Sequence, residues 1–151
     1  MTAGKKEYPD WLNFWDNDNC KMTHDWASGP YTDTLGSYGP TTTNTGKMKV
    51  SYSLSGSGPS ISVSFDQPDI ESKTLSGASE KKPAWQMTAR SDDTWGEKMN
   101  MLPASQAKLK STPGTRFFLM NLHADGQFMQ VHGVIAYHHI KNDIGLYSTL
   151  S

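Results

Sequence analysis

Cys20 is the single cysteine among 151 residues. That excludes an intramolecular disulfide and any zinc cluster built on several thiolates, and a lone thiol of this kind reads as a small buried hydrophobe. Net charge is missing as well, with 14 Lys and Arg set against 15 Asp and Glu. Neutralising the phosphates of a nucleic acid needs a clustered basic excess, so nucleic acid is not an expected partner. No apolar stretch approaches the ~18 residues of a membrane-spanning helix. The first residues, MTAGKKEYPDW, lack the apolar run of a signal peptide. Together these absences predict a soluble protein made in the cytosol, with release by lysis or a non-standard route left open.

Catalytic signatures are equally scarce. The chain has no G-x-S-x-G, no P-loop and no G-x-G-x-x-G. Gly56-Ser57-Gly58-Pro59 precedes a strand pattern, so no helix N-terminus is offered to a phosphate. The carboxylates Asp66, Asp69, Glu71, Asp92 and Asp93 sit among Ser, Pro and Gly, where they read as solvated turn formers. Glycoside hydrolysis would instead require two carboxyls facing each other across a cleft. His132 and His138 share a strand face but stand ~20 Å apart at ~3.3 Å per residue, too far for one metal ion. His24 and His123 lie elsewhere, and His139 points away from His138. No metal and no cofactor is expected.

What the chain does have is alternation. In residues 47–66, KMKVSYSLSGSGPSISVSFD, Met48, Val50, Tyr52 and Leu54 alternate with Lys and Ser. After a Gly-Ser-Gly-Pro break, Ile61, Val63 and Phe65 alternate with Ser60, Ser62, Ser64 and Asp66. A period of two sorts side chains onto opposite faces, so this is a β-hairpin with one greasy and one hydroxyl-coated face. Trp85, Met87 and Ala89 predict a further strand. Thr115–Leu122 and Gln127–Ile140 predict another pair, with His-Ala-Asp-Gly as the turn between them. The later strand is apolar on both faces around Val131–Tyr137, which places it centrally, packed with the first hairpin in one core. Residues 28–46 read as a loop around one short strand, and 67–84 as a polar connection interrupted by Pro68, Gly77 and Pro83. Trp11, Phe14 and Trp15 have the spacing of one helical turn, and Ala104–Lys110 fits a turn or two. The fold expected is therefore all-β: a single-domain antiparallel sandwich or flattened barrel over residues 1–151, with at most one or two short helices. Residues 1–30 form an aromatic segment packed on the sheet.

Only 35% of residues are hydrophobic, so 8 Met, 5 Trp, 6 Tyr and 5 Phe must fill much of the core. Each Trp is thus either core or a loop residue free to stack on a sugar or sit at a membrane interface. Trp95, in the turn-like Asp92-Asp93-Thr94-Trp95-Gly96, is the first candidate for contact. Trp85 follows, because Lys81 and Lys82 precede it and paired cations beside an aromatic suit lipid head groups. Tyr31 and Tyr38 complete the candidate set.

Gly46-Lys47-Met48-Lys49-Val50-Ser51-Tyr52-Ser53, Ile61-Ser62-Val63-Ser64-Phe65, the acidic and proline loop Asp66–Asp69, and Trp85-Gln86-Met87-Thr88 follow one another in order. With Trp26-Ala27-Ser28-Gly29 before them, they resemble the small β-sandwich cytolysins, that is, the actinoporin-like proteins and more distantly the aegerolysins. The likeness covers about a third of the chain. It lacks that family's N-terminal amphipathic helix, and Ser72–Glu80 stands where its aromatic cluster would be. The resemblance implies a non-enzymatic protein of toxin or defence type that recognises membrane lipid head groups, with peripheral membrane contact and cytolytic action. The runner-up reading is a lectin-like, carbohydrate-binding protein, in which a loop Trp stacks on a sugar. Oligomerisation is open in either reading, since sheet edges invite pairing.

Overall fold

The computed structural model describes residues 2–3, 6–7, 14–56, 59–76, 80–91, 99–110, 116–132 and 134–149. Among the described residues thirteen strands are formed: β1 Thr2–Ala3, β2 Lys6–Glu7, β3 Phe14–Asp25, β4 Thr32–Gly39, β5 Asn44–Thr45, β6 Met48–Leu54, β7 Ile61–Gln67, β8 Ile70–Ser76, β9 Ala84–Ala89, β10 Met99–Asn100, β11 Ala104–Leu109, β12 Arg116–His132 and β13 Val134–Thr149. Trp26–Ser28 forms a short 3-10 turn. The largest sheet runs β13-β12-β3-β9-β8-β5, with β2 added on β3; β4 with β11, β6 with β7, and β1 with β10 form separate pairs. All pairings are antiparallel, and none of the described sheets closes into a barrel. The fold is an all-β sandwich.

The hairpin of β6 and β7 forms in the register its alternation dictates, from Met48 opposite Gln67 to Leu54 opposite Ile61. Val50, Leu54 and Phe65 are buried, while the serine face is exposed and laced by Ser51–Ser64 (2.9 Å) and Ser53–Ser62 (3.3 Å) hydroxyl contacts. The core joins Val50 and Phe65 to Cys20, Ile70, Trp85, Met87, Met99 and Met101. Aromatic and Met side chains thus supply the volume that scarce aliphatics cannot. Burial drives the Cys20 thiol up to about 11, so it stays protonated and unreactive while the chain is folded.

Several local expectations are corrected by long-range pairing. The strand containing Phe14 and Trp15 begins at Phe14 and pairs with Lys6–Glu7, so those aromatics are not on a helical turn; residues 8–13 lie outside the described residues. Ala104–Leu109 is a strand because its backbone pairs with β4. Ile70–Ser76 is likewise a strand, held between β9 and β5. Weak local propensity yields to such partners.

The largest correction concerns 116–149. His-Ala-Asp-Gly is no turn: β12 passes straight through it, and the hairpin reverses between His132 and Val134. Gly126 serves another purpose there, since a Cβ on it would meet the Phe128 ring at 3.3 Å. Nor is the returning strand central. β13 is the terminal strand of the sheet, with Ile135, Tyr137 and Tyr147 at 62%, 53% and 60% exposure. The greasy face of β6 and β7 therefore packs on β3, β8 and β9, not on 127–140.

Candidate functional site

Asp25 ends β3 and caps the 3-10 turn, accepting from Ser28 N at 3.0 Å. Ser28 Oγ donates back to Asp25 O at 2.6 Å and accepts from Asn121 N at 3.0 Å, tying the turn to β12. Gly29 then passes so close to β12 that a Cβ would stand 1.9 Å from the Leu119 carbonyl oxygen, which only glycine tolerates. These constraints fix two residues of the turn's approach: His24 on the core face and Trp26 at its start. Each is 6% exposed.

Both reach one hydroxyl. Ser105, on β11, has Oγ 2.7 Å from His24 Nδ1 and accepts from Trp26 Nε1 at 2.8 Å. Burial holds His24 down at about 4, so its imidazole is neutral near pH 7. Either tautomer leaves Ser105 one free function. If Nδ1 accepts, an oxygen lone pair remains; if Nδ1 donates, the serine proton remains. Ser105 is partly exposed and lines a groove of about 550 Å3, together with Trp26, Thr34, Gln106, Lys108 and Leu109. Gln106 bridges the groove's edge, accepting from Ser37 Oγ at 3.1 Å and donating to Pro59 O at 3.2 Å. The volume suits a small ligand or one residue of a larger one.

The outer face of the large sheet carries a second polar group. His123 Nδ1 lies 2.6 Å from Asp143 Oδ1, and His139 Nδ1 lies 3.0 Å from Asp125 Oδ1. Lys21, Thr23 and Lys141 complete a shallow depression of about 250 Å3. These pairs sit directly or diagonally across strands, a common arrangement for solvated sheet faces. Among the described residues no set of three His, Cys, Asp or Glu is placed to hold a metal ion.

The residues that sequence reasoning singled out are placed differently. Trp85 is fully buried and its Nε1 donates to Pro40 O at 2.8 Å, so it is a core residue and presents nothing to a ligand. Tyr38 packs on that core, edge-on to Trp85 at 6.3 Å. Lys82 Nζ pairs with Asp25 at 3.1 Å, and Lys81 Nζ donates to Thr32 O at 3.3 Å. Tyr31 sits edge-on to Phe117 at 5.7 Å. Lys81, Lys82 and Tyr31 thus gather around the 3-10 turn, braced against the protein itself. Trp95 lies outside the described residues. His24, Trp26, Ser105 and Gln106 were not anticipated, because side-chain contacts between separate sheets bring the end of β3 and the following turn to β11, some eighty residues away in the chain. No helix among the described residues is long and apolar enough to cross a membrane. No protein-family model matches this sequence, and no curated protein matches it at a significant level.

Proposed function

We propose that this is a non-catalytic binding protein whose groove takes the hydroxyl-bearing head of a saccharide, free as a glycan or carried on a membrane lipid. The observation that supports this reading is the Ser105 hydroxyl, held by His24 and Trp26 at the groove wall with one hydrogen-bonding function unused. A ligand hydroxyl donates and accepts, so it complements Ser105 in either tautomer. Thr34, Gln106 and Lys108 add polar groups, while Trp26 and Leu109 add apolar surface, the mixture a sugar ring requires.

Two alternatives are weaker on physical grounds. Serine catalysis needs a base poised near the working pH, and an imidazole held at about 4 gives up much of that basicity. Among the described residues, no carboxylate partners the ring's other nitrogen to restore it. Recognition of a lipid phosphate by Lys81 and Lys82 meets the difficulty that both ammonium groups already have partners. The likeness to cytolysins supports the membrane-borne arm of the reading: a toxin or defence protein that meets its ligand at a bilayer surface.

A glycan array, paired with co-sedimentation on phosphatidylcholine vesicles with and without a neutral glycolipid, tests the reading. We expect a saccharide hit, with vesicle retention only when the sugar is present. Ser105→Ala should weaken binding by about 5- to 30-fold, the worth of one or two hydrogen bonds. Because that variant also strips partners from Trp26 and His24, Lys108→Ala on the exposed rim is the companion, expected to weaken binding while leaving the fold intact. Sugar-independent vesicle binding, or unchanged affinity in both variants, would overturn the proposal.

A further inference from the structure

We propose that β13 is a dimerisation edge, and that two copies of this chain pair antiparallel through it about a two-fold axis at Asn142. The strand is 16 residues long, contains no proline and has no partner on its outer side among the described residues. Its pairing with β12 runs without a register shift from Met120 to His132, so the free edge is regular over most of its length. Ile135, Tyr137, Ile140, Ile144 and Tyr147 are all substantially exposed. Such an edge is a ready template for another strand, and folded proteins normally interrupt, shorten or cover it.

The occupant follows from the order of side chains. In a symmetric antiparallel pair, residues equally far from the axis on either side face each other, and each contact occurs twice. With the axis at Asn142, Lys141 meets Asp143 of the second copy, on the outer face. Ile140 meets Ile144 on the inner face. Tyr137 meets Tyr147, whose ring already packs edge-on to Phe118 at 5.5 Å under the Arg116 guanidinium at 5.2 Å. Opposite charges, branched aliphatics and aromatics are the cross-strand pairs that stabilise sheets. Lys141 and Asp143 are each 72% exposed, and Asp143 engages His123 through Oδ1, which leaves Oδ2 for the second copy.

Neighbouring registers fail. An axis at Lys141 or Asp143 sets like charges against each other. An axis at Ile140 sets Asp143 against Tyr137, and one at Ile144 sets it against Gly145. The dimer is closed, because each β13 edge is used once. The groove on β4 and β11 receives nothing from β13, so both grooves stay open and the inference stands apart from the ligand proposal.

Sedimentation velocity of the full chain over a concentration series tests it. A species of about twice 16.7 kDa is expected, growing with concentration. Lys141→Asp and Asp143→Lys, singly, each set like charges opposite one another at two places and should shift the midpoint upward by about tenfold or more. The double swap, K141D with D143K, restores opposite charges and should restore the dimer. Asn142→Cys adds a readout that does not rest on charge: on mild oxidation it should cross-link two copies, since residue 142 faces itself and native Cys20 is buried. A monomer at every concentration, dimers indifferent to both single swaps, no recovery in the double swap, or no cross-link at 142 would each overturn the proposal.

Discussion

Trp85→Ala should destabilise the protein by about 3–5 kcal/mol, the usual cost of emptying a large aromatic site in a core. The ring is fully buried among Cys20, Val50, Phe65, Ile70 and Met87. His24 and Tyr38 pack edge-on to it at 4.9 and 6.3 Å. Its Nε1 also donates to the Pro40 carbonyl, which in the variant would keep Thr74 Oγ1 as its remaining donor at 2.7 Å. Against a total stability of ~5–15 kcal/mol for a domain, this is a large fraction. Urea denaturation should show the midpoint falling by ~1–5 M, with m at ~1–3 kcal/mol/M. Trp85→Phe keeps most of the volume and should lose less. Were Trp85 a contact residue, as its place after two lysines first implies, the alanine variant would keep its stability and lose only ligand affinity.

Acid should destabilise the fold through His24, and the sign is fixed by its burial. The folded imidazole titrates at about 4 against an ordinary 6.5, so between those values the unfolded chain binds the extra proton. Stability from this group is therefore complete above pH 6.5, falls as pH drops, and is fully lost below about pH 4. A shift of this size corresponds to about 3 kcal/mol. The structural cause is desolvation between Ser105 and the Trp85 ring. Other groups titrate over part of this range, so the diagnostic quantity is a difference. The stability profile of the wild type minus that of His24→Gln should slope downward from pH 6.5 to 4 and flatten on either side. Equal profiles for both proteins would show that His24 is not buried as described.

Sequence alone revealed what local alternation controls. The register of β6 with β7 follows from seven successive residues on each strand and a Gly-Pro break, all within twenty positions. β9 emerged in the same way from Trp85, Met87 and Ala89. β13 misled because apolar residues on both faces normally mark a central strand, whereas exposure depends on where the sheet stops. Asp125-Gly126 misled because a turn signal was overridden by pairing on both sides, to β13 and to β3. The groove was illegible for a related reason: Ser105 is 81 residues from His24 and 79 from Trp26, and no spacing rule links them. Trp26 was visible as an aromatic, but nothing local distinguished its ring from the other four tryptophans.

The central claim, that the Ser105 groove is where ligand binds, is tested most directly by amide NMR with a saccharide identified on the array. The Trp26 indole N–H donates straight to Ser105 Oγ, so its resonance is a reporter at the site. On titration it should shift, together with the amides of Thr34, Gln106 and Lys108, at one common dissociation constant. A Trp26 signal that stays fixed while perturbations gather on the serine face of β6 and β7 or on the outer face of β12 would contradict the claim.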